Sequence, residues 1–144
     1  MNKAATILPN IKIYAIRLLP GEDLINALQD LATTQEINAG WIMSAVGSFT
    51  KFSIRFADQP QPVTGSGHFE MVGLTGVISN RGCHLHIIIA DENGLLKGGH
   101  LSQGCIIYTT AEIIVGYTDK YTFDRIKDGS TPWQELLIEE NNTH

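Results

Sequence analysis

The sequence predicts an α+β fold: a mainly antiparallel β-sheet with one long helix near the N-terminus packed on it. Two observations carry that reading. Helical periodicity occurs once, at Leu24, Leu28 and Leu31, and the rest of the chain is a series of β-rich apolar runs separated by short turn signals. With 144 residues, a single domain spanning 1–144 is expected.

The first strand is read from residues 11–19 (IKIYAIRLL), which stop at the turn signal Pro20-Gly21. Glu22 and Asp23 follow, where a helix N-terminus favours negative charge. The helical stripe of Leu24, Leu28 and Leu31 is widened by Ile25 and Ala32, and Asn38-Ala39-Gly40 offers a stop near Ile37. Trp41–Val46 is an apolar run broken by Ser44, and Phe52, Ile54 and Phe56 alternate with polar residues as a second, half-buried strand. Residues 58–67 (DQPQPVTGSG) read as a loop or ragged edge. Phe69–Ile78, Cys83–Ala90, Leu95–Leu101 and Cys105–Tyr117 follow as strands, with hairpin loops at 79–82 and 91–94. The tail from Pro132 allows a short helix or a strand, giving six or seven strands in all.

Composition narrows the function. Ten basic against fifteen acidic residues give a net charge of −5, the wrong sign for a stand-alone DNA-binding domain. Charged residues are 17% of the chain, against about 25% in an average soluble domain, so part of the surface is expected to be covered by other subunits. Cys83 and Cys105 lack CxxC spacing and read as core thiols of a reducing compartment. No long apolar h-region or membrane-length apolar run is seen, so a cytoplasmic protein without membrane contact is expected.

Three of the five histidines fall between residues 84 and 100. His84 and His86 are two apart on a strand, so they share a face, with Cys83, Leu85 and Ile87 on the other. If the next hairpin is closed by the three residues Glu92-Asn93-Gly94, Asp91 pairs with Leu95 and His86 falls opposite His100. A four-residue loop, or a bulge at Gly98-Gly99, would turn His100 to the opposite face. On the first register three imidazoles converge, as a metal site with an open fourth position requires. Zn²⁺ suits three histidines without cysteine, with Ni²⁺, Cu²⁺ and Fe²⁺ as further options. The plain alternative is hydrogen-bonded histidines in a sheet or subunit interface. Thr75 falls opposite His86 if Ile78 pairs with Cys83, making it a supporting group for the site.

Glu70 is a carboxylate within an apolar run, available as a ligand or base, whereas Glu112 reads as an ion-paired or interface group. His68 reads as a surface residue beside Gly65-Ser66-Gly67, and His144 is terminal. Neither a phosphate-binding GxxxxGK[ST] nor a nucleophile elbow is present.

Arg17–Leu24 (RLLPGEDL), Ser44–Phe49 (SAVGSF), Gly67–Gly76 (GHFEMVGLTG), His84–Gly104 (HLHIIIADENGLLKGGHLSQG) and Thr110–Val115 (TAEIIV) together resemble the plants and prokaryotes conserved (PPC) domain. The resemblance covers Ile11 to about Leu137 and implies a homotrimer of α+β subunits. In plants the domain sits behind AT-hook motifs in nuclear DNA-binding proteins, which implies a DNA-binding or regulatory family. A segment there that contributes to partner interaction matches Gly67, His68, Phe69, Glu70, Met71 and Val72 of this chain. No Arg-Gly-Arg-Pro hook occurs in this sequence, which with the net charge argues against direct DNA contact. The HLH and GGH motifs resemble the prokaryotic branch and imply a metal or ligand site at His84, His86 and His100. Two functions follow as expectations: a homotrimeric module binding a protein or small ligand, or a metal-dependent hydrolase or lyase.

Overall fold

In the computed structural model, which describes residues 10–141, eight strands and one helix follow one another along the chain. His144 and most of the segment read for a leader lie outside the described residues. The order is β1 (Lys12–Leu18), α1 (Leu24–Thr34), β2 (Gly40–Arg55), β3 (Val63–Ser79), β4 (Gly82–Ala90), β5 (Leu96–Leu101), β6 (Ile106–Tyr117), β7 (Tyr121–Ile126) and β8 (Glu135–Glu140).

Six strands form one antiparallel sheet in the order β1-β6-β2-β3-β4-β5, and β7 pairs with β8 in a separate two-stranded arm. The edge strand β5 also pairs with the end of β2, Ile54 with Leu101 and Arg55 with His100, so β2, β3, β4 and β5 close into a ring. Register shifts in β2 near Ser44 and Phe49, and in β3 between Met71 and Gly73, bend these long strands far enough to close it. Phe49, Ile54, Ile78, Leu85, Ile87 and Ile89 are fully buried in a core shared with Leu24 and Leu28 of α1.

Asp23 caps α1: its Oδ1 accepts from the backbone of Ile25 and Asn26 at 3.1 Å each. Its Oδ2 accepts from Gly104 N at 2.6 Å, tying the helix start to the turn before β6. The helix stops at Thr34, earlier than the expected Ile37. Glu36 takes the left-handed conformation at φ 52°, Ile37 N donates to Ala32 O at 2.8 Å and Glu36 N to Thr33 O at 3.3 Å. This Schellman closure inserts Ile37 into the core, so the apolar residue read as helical is the one that ends the helix.

Three further expectations change. The two strands read at 41–46 and 52–56 are one strand, because bulges absorb the break in periodicity. Val63–Gly67, read within a loop, belongs to β3 and pairs with β2. Strand β7 was not foreseen, and the tail from Pro132 resolves as its partner β8.

Candidate metal centre

The histidine register depends on the turn between β4 and β5. Asp91 N donates to Leu95 O at 3.1 Å, Gly94 N donates to Asp91 O at 2.9 Å, and Gly94 has φ 77°. The Asp91 carboxylate also accepts from the backbone of Asn93 and Leu95. The loop is therefore three residues long, and His86 stands opposite His100. Gly98-Gly99 adds no bulge, since Ile87–Gly99 and Ile88–Gly98 continue the same register.

Leu85, Ile87 and Ile89 point into the core, so His84 and His86 project from the outer face of β4. The ring centroids of His84 lie 5.2 Å from those of both His86 and His100, and the last two are 5.7 Å apart. One ring nitrogen from each histidine falls within 4.8 Å of the others. A tetrahedral zinc ion, with bonds of about 2.0–2.1 Å, needs these nitrogens roughly 3.3 Å apart, within reach of small side-chain rotations.

Chemistry as well as distance suits a metal. His100 Nδ1 is buried and makes no hydrogen bond among the described residues. Burial, then the positive charge of Arg55, push the His100 pKa down to about 4, and burial with the Arg125 charge lowers that of His84. His100 is therefore neutral at neutral pH, and a neutral imidazole keeps the lone pair a metal requires.

Beside the triad lies a cavity of about 580 Å³, lined by His84 and His100 together with Arg55, Arg81, Arg125 and Glu135. Two long-range contacts create it. Strand β5 reaches β2 at Gly99, where a Cβ would stand 2.6 Å from the Arg55 carbonyl oxygen. The β7–β8 arm is held to the body by Arg81–Asp124 at 2.8 Å and by Phe123 N donating to Asn38 O at 2.8 Å. Arg125 also lines a second hollow of about 320 Å³ with Thr75, His84 and His86.

Of the residues singled out in the sequence, His84, His86, His100 and Thr75 come together, Thr75 directly opposite His86. Glu70 does not join them: it pairs with Ala90, four residues along β4 from His86, or roughly 13 Å at about 3.3 Å per residue. Gly67, His68 and Phe69 lie around a small hollow with Asp91 and Asn93, at the opposite end of the β4–β5 hairpin from the histidines. Phe69 packs edge-on against Phe52, and His68 lies against Tyr108 with centroids 4.5 Å apart. Glu112 stands opposite Arg17, whose Nε donates instead to Thr110.

The carboxylate near the triad is Glu135, which the sequence reading missed along with Arg125. A faint signal existed. Tyr121, Phe123 and Arg125 alternate with Thr122, Asp124 and Ile126 ahead of an Asp128-Gly129 turn, the pattern of a short strand entering a hairpin. Cys105 is a core thiol as expected, whereas Cys83 is half-buried, donates to Gln29 and reaches the cavity wall; burial pushes both up to about 11.

The fold and site define a small antiparallel β-domain with a three-histidine cluster opening on a cavity. The chain belongs to the Plants and Prokaryotes Conserved (PCC) domain family, also written PPC, which it matches over residues 7–119. It is similar to a hypothetical protein from Salmonella enterica, with a TM-score of 0.89 and 32% identity over 97% of this chain and 99% of that one. A metal-containing protein from Archaeoglobus fulgidus is similar with a TM-score of 0.74 and 25% identity, covering 88% of this chain and 93% of that one. In sequence the chain is 42% identical over 130 residues to the bifunctional protein GlmU of Synechococcus sp. (strain JA-3-3Ab). That match takes in 90% of this chain and 21% of the cyanobacterial protein, so the chain spans about a fifth of that curated relative. Among the described residues no helix is long and apolar enough to cross a membrane.

Proposed function

We propose that the protein is a homotrimeric binding module built on a metal centre at His84, His86 and His100, with Zn²⁺ as the first candidate, and that the centre's open side receives a small ligand. The observation that carries this reading is the convergence of three ring nitrogens to within 4.8 Å, with no Cys, Asp or Glu joining them among the described residues. A structural zinc site is closed by four protein ligands, whereas three ligands facing a cavity leave room for something else. A metal held there supplies Lewis acidity. The protein's own part is to keep His100 neutral, orient the imidazoles on a rigid hairpin and wall the site with the β7–β8 arm.

The trimer is supported by the low charge content and by apolar side chains left exposed on several strands, among them Ile13, Val46 and Val72. Net charge −5 supports a ligand other than duplex DNA. A metal-dependent hydrolase or lyase is the second reading, favoured by one observation: the Glu135 carboxylate lines the cavity beside His84, where an acid–base group would have to sit.

Native mass spectrometry of the full chain after addition of Zn²⁺ tests the proposal. A trimer carrying one zinc per chain is the expected result. A chain that stays metal-free, or that binds zinc equally well as His86→Ala, overturns the metal centre, and a monomer overturns the trimer.

A further inference from the structure

The cations of this acidic chain are unevenly placed. Four of its ten Lys and Arg residues, Arg55, Arg81, Arg125 and Lys127, line the cavity of about 580 Å³ beside His84 and His100. Arg81 is neutralised by Asp124 at 2.8 Å, and Lys127 has no ion pair among the described residues. Arg125 donates to the Gln134 carbonyl. Arg55 stacks on Trp133, 5.1 Å from the ring centroid, with a long 3.5 Å bond to Gln59 O. A guanidinium has five N–H donors, so both arginines keep donors to spare. Glu135 is the single carboxylate lining the cavity, and Thr131 donates to it.

Three cations without a carboxylate partner against one carboxylate leave the cavity positive in a protein of net charge −5. Like charges gathered in a concave site repel one another and raise the local potential. An anion entering the site relieves that repulsion and takes up the spare donors, two of them on planar guanidinium groups suited to bidentate contact with carboxylate or phosphate oxygens. The volume of about 580 Å³ falls in the range of small-molecule sites, and the cavity is a hollow under the arm and not a stripe along a surface.

We propose that this cavity binds a small molecule through a phosphate or carboxylate group, held by Arg55, Arg125 and Lys127 with its remainder turned towards the three histidines. The inference takes the metal-centred ligand site as its starting point and names the chemistry of the ligand. The positive potential does not depend on the metal, so the anion subsite can be tested in metal-free as well as zinc-loaded protein.

The experiment is a calorimetric titration of the full chain, with and without zinc, using inorganic phosphate, succinate and a short DNA duplex as probes. The paired variant Arg55→Gln/Arg125→Gln, the single variant Lys127→Gln and the exposed Lys51→Gln, which removes one charge away from the cavity, are titrated in parallel. Zinc content and circular dichroism are read for each. Saturable binding of phosphate or succinate, weakened about tenfold or more in the paired variant and unchanged in Lys51→Gln, is the expected result. Stronger binding of phosphate than succinate, or the reverse, assigns the headgroup. Absent anion binding, or equal loss in Lys51→Gln, overturns the inference. Binding confined to the duplex overturns it too, in favour of a nucleic-acid surface. If the paired variant misfolds, Lys127→Gln carries the test alone. Anion binding to a chain that holds no zinc upholds the subsite while removing the metal centre, so the two readings fail separately.

Discussion

His86 and His100 face each other across the β4–β5 ladder, and Arg55 faces His100 across the β5–β2 ladder, so one row of the closed ring sets a cation beside the imidazole cluster. The first contact comes from a hairpin turn and the second from ring closure.

Removing one of the facing pair should abolish the cluster. His86→Ala or His100→Ala is expected to weaken zinc binding by more than about a hundredfold, beyond what loss of a supporting group costs. His68→Ala, against Tyr108 and outside the cluster, should leave it unchanged. Competition against a chromogenic zinc chelator measures this, and equal affinities would sink the three-histidine assignment.

Gly99→Ala tests the second contact. The added methyl would stand 2.6 Å from the Arg55 carbonyl oxygen and 3.0 Å from Ile54 Cγ2, so β5 must move off β2. Overpacking of this kind costs roughly 1–3 kcal/mol. The denaturant midpoint should fall and zinc affinity should fall with it, because His100 moves with the strand.

Asp23 joins the helix start to the turn before β6 through three backbone donors. Asp23→Ala should cost about 1–3 kcal/mol in chemical unfolding, combining a lost cap with a stranded Gly104 N–H. Asp23→Asn, which keeps an acceptor oxygen, should lose less. Equal losses would mean that the charge and not the cap carries the effect.

Burial holds the Cys105 thiol up at about 11, against an ordinary 9.0. Between these values the unfolded thiol ionises while the folded one stays protonated. The unfolded state then binds fewer protons, and this contribution to stability falls as pH rises from 9 through 11. At about pH 8, iodoacetamide should label Cys105 in urea and spare it in the folded chain. Equal labelling rates would show that the site opens without unfolding.

The strands that hold the histidines were legible because their evidence is local. Alternation of Leu85, Ile87 and Ile89 with His84, His86 and Ile88 fixes which face is buried. Glu92-Asn93-Gly94 fixes the register that follows, so four sequence-chosen residues, Thr75 included, meet in the structure. Local evidence misled at the end of the helix. Asn38-Ala39-Gly40 points to a stop near Ile37, whereas a left-handed Glu36 closes the helix earlier and places Ile37 in the core beyond its last turn. Glu70 looked suitable because a carboxylate in a β-run is unusual, yet position along the strand, which composition does not encode, sets it four residues from the site.

The sequence by itself therefore determined the family, through motifs spread along most of the chain, and the strand faces and histidine cluster, which follow from side-chain period and turn length over a few residues. Tertiary structure alone decided what surrounds the cluster. Arg55 arrives because bulges curl β2 until it meets β5, and Arg125 and Glu135 arrive on an arm folded back across the body. These contacts join residues 25 or more positions apart, where the pairing is chosen by global packing and closure and leaves no periodic trace in either partner.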